Sequence, residues 1–190
     1  MSVPRQAWLS ALLAALDARD VLVAGLGGNA RYLPHMAPRV PHWALCDSMG
    51  AAIPLALGMA LARPTRGVVA LEGDGSLLMN LGCLATVGAA RAANLTVLIF
   101  ENGAYESSGG QALPAVTVDF VAVALAAGFR RAERLSSADE LGAALAQGRS
   151  TGGPTLFALP TRFDPAETIP PYSERPDEIR ANFARALRGT

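Results

Sequence analysis

The sequence predicts an α/β protein: a doubly wound, mostly parallel sheet with helices on both faces. Three observations carry this expectation. Short, near-continuous apolar runs recur along the chain, as in strands buried on both sides. They alternate with longer segments of helical period, the signature of strand–helix units. Several runs also end in glycine-containing turns, where a strand gives way to its crossover.

Residues 7–19 fit an opening helix, and 21–24 a buried strand ending in Gly25, Gly27 and Gly28. Residues 43–46 form a short strand, after which Asp47 or Ser48 caps a helix running to about Ala62, before Pro64 ends it. The next strand, 68–71, runs into Gly73, Asp74 and Gly75. Helical period holds over 77–93, 96–100 is an apolar strand, and 101–111 is a loop rich in Gly and Ser. A helix over 120–127, an edge strand over 129–133, a helix over 138–147 behind Ser136 or Ser137, and a last strand over 155–159 follow. After Pro160, the prolines at 165, 170, 171 and 176 interrupt the chain before an amphipathic stretch over 177–187. The expected division is an α/β domain over 1–160 and a Pro-rich C-terminal arm with a final helix over 161–190.

Lys plus Arg and Asp plus Glu each total 16, so the formal net charge is zero and nothing draws in a polyanion. Nucleic acid is therefore not an expected partner. Hydrophobic residues make up 51% and charged residues 17% of the chain, which excludes disorder and points to surface hidden against a neighbour. No apolar run reaches the roughly 18 residues of a membrane span; the stretch 53–62 is broken by Pro54 and Gly58. Apolar residues 8–16 lead to Asp17, Arg19 and Asp20 and not to a cleavage site, so a cytoplasmic chain without membrane contact is expected. Cys46 and Cys83 lack CxxC spacing and read as small reduced core residues.

Two glycine motifs follow strands. Gly25-Leu-Gly27-Gly28-Asn29-Ala30 has the G-x-G-x-x-A pattern of a dinucleotide fingerprint, with Asp47 downstream. Pro34, Pro38 and Pro41 follow so closely that a helix has room for barely two turns, and a plain Gly-rich turn is the simpler account. The second motif is Glu72-Gly73-Asp74-Gly75-Ser76, with Asn102-Gly103-Ala104-Tyr105 at the end of the next strand. In a parallel sheet those two strand ends lie side by side, so Asp74 and Asn102 can meet at one point. A carboxylate, an amide oxygen and a backbone carbonyl are hard ligands suited to magnesium or calcium, and the N–H groups of Gly75 and Ser76 open the next helix as an anion site. The alternative is a pair of tight turns with Asp74 as an N-cap.

On the GDG motif, the following span and Asn102, nearly the whole chain resembles the diphosphate-binding, C-terminal-type domain of thiamine diphosphate-dependent enzymes. The loop Asn102-Gly-Ala-Tyr105-Glu-Ser-Ser-Gly109-Gly110-Gln111 is most similar to the sulfopyruvate and phosphonopyruvate decarboxylase branch. The resemblance implies the thiamine diphosphate-binding fold and the cofactors thiamine diphosphate and Mg2+. It gives the metal to Asp74, the side chain of Asn102 and the carbonyl of Ala104, and the diphosphate to Gly73, Gly75 and Ser76. Gly27, Gly28 and Asn29 match an early loop that contacts the diphosphate. Asp47-Ser48-Met49-Gly50 matches a turn whose bulky residue, here Met49, lies under the cofactor and holds it bent; Asp47 departs from the small residue usual there. Tyr105 and Glu106 belong to the loop that closes over the cofactor, where Glu106 and Ser108 are also candidate substrate contacts.

The same resemblance puts the Glu that activates the cofactor on a separate pyrimidine-binding domain, a role open to none of Glu72, Glu101 and Glu106. No catalytic residue is therefore assigned within this chain. The implied protein is the beta subunit of a heteromeric 2-oxo acid decarboxylase, α2β2 or larger, with a pyrimidine-binding alpha subunit and a small 2-oxo acid substrate. A carboligase subunit of acyloin or acetolactate type, a non-catalytic cofactor-binding subunit, and a nicotinamide-dependent oxidoreductase built on Gly25 to Ala30 stand as alternatives. His35 and His42 are candidates for proton transfer or for an acidic substrate group, and Arg31 for a substrate or partner carboxylate. Arg130, Arg131 and Arg134 read as a solvated face.

Overall fold

The computed structural model describes residues 2–114 and 118–188; positions 1, 115–117, 189 and 190 of the two expected segments lie outside the described residues. The strands are β1 (Val21–Ala24), β2 (His42–Ala44), β3 (Val68–Gly73), β4 (Leu95–Glu101), β5 (Ala104–Tyr105), β6 (Gln111–Ala112), β7 (Arg131–Arg134) and β8 (Thr155–Pro160). The helices are α1 (Arg5–Ala14), α2 (Gly28–Met36), α3 (Ala52–Ala62), α4 (Asp74–Leu78), α5 (Cys83–Ala90), α6 (Phe120–Ala126), α7 (Glu140–Thr151) and α8 (Pro176–Arg188). Six strands make one parallel sheet in the order β2-β1-β3-β4-β8-β7, while β5 and β6 form a small antiparallel ribbon.

Period-two alternation divides the sheet between two helical layers. Val21, Val23, Val68, Ala70, Val97 and Ile99 face α3, α5 and α6. Leu22, Ala24, Val69, Leu71, Leu98 and Phe100 face α1, α2 and α7. Strands covered on both sides carry apolar residues at every position, which is why they read as continuous runs. The chain leaves β1 toward β2 on one side and returns to β3 on the other. This reversal opens a crevice at the carboxyl ends of β1 and β3, the usual ligand position in such sheets.

Several local expectations are corrected. The single helix over 77–93 is two helices, because α4 begins at Asp74 directly after β3 and the chain between them winds through short-range bonds such as Asn80 N–H to Leu77 O (2.9 Å). The Asn80 side chain turns back to donate to Gly50 O at 2.8 Å. Neither Asp47 nor Ser48 caps α3; Ser48 bonds Asp47 at 3.2 Å, and the helix starts only at Ala52. The G-x-G-x-x-A segment opens a nine-residue helix in spite of Pro34, which costs it one bond to the Ala30 carbonyl, and α2 ends at Met36. Beyond β8, residues 162–175 form no helix and cross the carboxyl edge of the sheet near α2 before α8 packs beside β2, where Phe183 meets Trp43 edge to face at 5.6 Å.

Candidate functional site at the carboxyl edge

β3 and β4 are neighbours in register, with Gly73 opposite Phe100, so Asp74 and Asn102 leave the sheet side by side. Both line a cavity of about 250 Å³ at the crevice between β1 and β3. The cavity also receives Gly28 and Asn29 from α2, Asp47 and Met49 from the β2–α3 loop, Gly73, Gly75 and Ser76 from the β3–α4 turn, and Ala104, Tyr105 and Glu106 from the loop after β4. Gly27 and Ser48 are not on its wall; Gly27 stands behind it and donates its N–H to the Tyr172 hydroxyl at 3.2 Å.

Asp74 is 4% exposed. Its Oδ1 accepts the Gly75 N–H and its Oδ2 the Gly103 N–H, each at 2.8 Å, so the β3–α4 turn and the β4 loop are tied through one carboxylate. Burial holds the Asp74 carboxyl above the ordinary carboxylate range, while these N–H bonds pull the other way. Asn102 Oδ1 accepts the Ala104 N–H at 3.0 Å. Gly75 has no room for a side chain, since a Cβ there would stand 2.8 Å from the Tyr105 ring and from Leu113. Asn29 is 6% exposed, and its buried Oδ1 has no hydrogen-bond partner among the described residues.

Arg5 is a wall residue that sequence reasoning missed. It is 4% exposed, and its Nη2 donates to both carboxylate oxygens of Glu106 at 2.7 and 2.8 Å. Its Nη1 reaches Glu167 at 3.3 Å, so one guanidinium joins α1, the loop over the cavity and the C-terminal segment. These partners lie 101 and 162 residues away in the chain, and no local pattern announces them.

Three candidates face elsewhere. Arg31 donates to the carbonyls of Pro170 and Ile169 and lies over the Tyr172 ring at 5.7 Å. His35 meets the Pro171 carbonyl at 3.3 Å. His42, at the start of β2 and so at the far end of the strand, contacts Val40 O at 2.8 Å and Glu174 at 3.3 Å. All three fasten the C-terminal segment to the domain. Arg134 is not simply solvated either: it holds Glu101 through two bonds of 2.8 Å. Ser108 does line the candidate cavity, but it is exposed and bonds within its own loop. Cys46 is exposed and not core, whereas Cys83 is buried as expected.

A larger cavity of about 500 Å³ lies at the opposite edge of the sheet, near the amino ends of the strands. Its wall includes Asp17, Asp20 and Arg149, already joined by ion pairs of 3.3 and 2.6 Å. Among the described residues no helix is long and apolar enough to cross a membrane.

Residues 27–159 match the family described as thiamine pyrophosphate enzyme, C-terminal TPP binding domain. The chain is 40% identical over 179 residues to a phosphonopyruvate decarboxylase of Streptomyces hygroscopicus, covering 94% of this chain and 44% of that protein. It is 33% identical over 170 residues to the sulfopyruvate decarboxylase subunit beta of Methanothermobacter thermautotrophicus, covering 90% and 88%. The chain thus spans less than half the length of the first relative and most of the second. Among solved structures, one assigned as a thiamin diphosphate-dependent enzyme from Mycobacterium smegmatis superposes with a TM-score of 0.71 at 25% identity, over 81% of this chain and 31% of that one. Fold, strand-end motif and sequence relationship agree: the chain belongs to the thiamine pyrophosphate enzyme family, as its C-terminal, thiamine pyrophosphate-binding domain.

Proposed function

We propose that this chain is the diphosphate- and metal-binding beta subunit of a thiamine diphosphate- and Mg2+-dependent 2-oxo acid decarboxylase acting on a small acidic substrate of sulfopyruvate or phosphonopyruvate type. The observation that carries the reading is the convergence of Asp74 and Asn102, from adjacent strand ends, on one cavity that also takes in the start of α2 and Met49. The residues fit the cofactor pair. Asp74 is a buried carboxylate with no cationic partner among the described residues, and Asn29 Oδ1 is a buried acceptor that lacks a donor. Both gain from a bound cation or a ligand donor.

Asp74, the Asn102 side-chain oxygen and the Ala104 carbonyl would hold Mg2+, an all-oxygen set that leaves sites for diphosphate and water. The N–H groups at the start of α2 and of the β3–α4 turn would meet the diphosphate. Ser76 serves there through its backbone, because its hydroxyl is occupied by the Gly50 N–H at 2.7 Å. Met49 supplies the apolar wall, and Tyr105 and Glu106 the roof. Thiamine diphosphate, when bound, supplies the electron sink that decarboxylation of a 2-oxo acid requires. The nearby glutamates are engaged: Glu72 is fully buried, Glu101 is held by Arg134 and Glu106 by Arg5. The family resemblance puts the activating carboxylate on a pyrimidine-binding domain, and in this reading a partner chain supplies it, with the cofactor between the two.

Asp74→Asn, in the complex of this chain with that partner, is expected to abolish Mg2+-dependent thiamine diphosphate binding in calorimetry. Unchanged binding overturns the metal assignment, and decarboxylation at full rate by the isolated chain overturns the two-chain reading.

A further inference from the structure

Glu72 is fully buried in β3 and does not line the cofactor cavity. One of its oxygens accepts the Ala52 N–H, the first of α3, at 3.2 Å. The other accepts the Gly73 N–H at 3.2 Å, and the Ser76 hydroxyl also bonds this carboxylate. Ser76 Oγ in turn accepts the Gly50 N–H at 2.7 Å, while Asn80 Nδ2 donates to Gly50 O at 2.8 Å. Gly50 adopts φ +72° and has Asn80 and Ser76 packed against its Cα, so the turn fits only as glycine.

Both peptide groups of Gly50 and the start of α3 are therefore bolted to the β3–α4 turn. The N–H held by Ser76 belongs to the Met49–Gly50 peptide, and this fixes the backbone from which the Met49 side chain enters the cavity. The cap that Asp47 or Ser48 does not provide for α3 arrives from Glu72 on another strand.

We propose that Glu72 is a positioning residue of the cofactor site: through Ala52 and the Ser76–Gly50 relay it sets the place of Met49 relative to Asp74 and Gly75. An apolar side chain would fill this position of the sheet without burying a charge that has no cation beside it. What an apolar side chain cannot do is accept from two loops at once, and both of these loops border the cavity. The inference rests on the thiamine diphosphate reading for its consequence but not for its geometry, and the experiment separates the two.

The full chain without ligand is compared with Glu72→Gln, which keeps the shape but turns one acceptor into a donor, by residue-resolved amide exchange. The Ala52 amide, which loses a hydrogen bond to a charged group, is expected to exchange about tenfold faster, and the Gly50 amide, bonded to the Ser76 hydroxyl that Glu72 orients, is expected to speed up with it. Titration of the complex of this chain with its pyrimidine-binding partner, with Mg2+ and thiamine diphosphate, is expected to show about tenfold weaker binding for Glu72→Gln and for Met49→Ala, with the double variant no weaker than either alone. Wild-type exchange at Gly50 and Ala52 overturns the proposal, as do effects of the two substitutions that multiply. Should the wild-type complex with the pyrimidine-binding partner show no Mg2+-dependent binding at all, the functional reading fails, while the exchange data still decide the role of Glu72. If Glu72→Gln does not fold, Ser76→Ala cuts the relay alone: the Gly50 amide should then speed up and Ala52 should not, and an unchanged Gly50 refutes the relay.

Discussion

Asp20 at the amino edge of the sheet and Asp74 and Glu72 at the carboxyl edge are buried carboxylates held in opposite ways. At the amino edge Arg149 meets Asp20 at 2.6 Å and Asp17 at 3.3 Å, and Asp20 also accepts the Asp17 N–H at 2.9 Å. At the carboxyl edge Asp74 and Glu72 are met only by N–H and O–H groups, and burial raises both carboxyls above their ordinary range. In the first arrangement the buried carboxylate, Asp20, has its cation. In the second, Asp74 and Glu72 have no cation among the described residues, since Arg5 there is taken up by Glu106 and Glu167; a fold tolerates this where a cation binds or where several loops must be held by one acceptor. The smaller cavity is thus the better site, and the larger one is a groove whose charges already answer one another.

The largest expected effect on stability is accordingly at the edge without the site. Arg149→Met leaves Asp20, whose side chain is 3% exposed, without this partner, and should cost about 3 kcal/mol, read as a lower midpoint in denaturant. Thiamine diphosphate and Mg2+ should bind the folded variant as they bind the parent. A variant that loses binding in proportion to stability would break the distinction between the two edges.

What the sequence makes legible follows the same division between local and distant causes. The β3–Gly73–Asp74–Gly75 turn and the β4–Asn102 turn are readable because a doubly covered strand is a continuous apolar run and its exit is marked by glycine. The parallel register then brings the two motifs together without further information. The break between α4 and α5 is not readable, since apolar period continues across it and the reason lies in Asn80 reaching Gly50, 30 residues away. Arg31, His35 and His42 carry suitable chemistry at suitable places in the chain, yet residues 169–174 pass close enough to occupy them. Arg5 carries no local signal because all its meaning is in Glu106 and Glu167.

A second, smaller effect lies beside Glu72, in the buried Cys83 thiol. The Cys83 thiol is pushed up to about 11 by burial and by the neighbouring Glu72 charge. Its pKa in the unfolded chain is near 9, so its contribution to stability is present below pH 9 and is lost as pH rises toward and through 11. A shift of that size corresponds to roughly 2–3 kcal/mol over the window. Denaturation of the parent and of Cys83→Ala between pH 8 and 11 should give a difference that narrows with rising pH. A constant difference would mean that the Cys83 thiol is not raised by its surroundings in the folded chain.

The smallest effect on stability belongs to the residue with the largest effect on function. In the ligand-free chain Asp74→Asn removes a desolvated charge, which favours folding, but it sets an amide N–H against the Gly75 or Gly103 donor, which opposes it. The two should nearly cancel and leave stability within about 1 kcal/mol of the parent. Ligand then separates the edges: Mg2+ with thiamine diphosphate at ten times its dissociation constant should stabilise the parent and Arg149→Met alike by about 1.4 kcal/mol, and Asp74→Asn not at all. A large loss of ligand-free stability in Asp74→Asn would instead make that carboxylate a structural tie, and the contrast between a closed edge and an open one would fall with it.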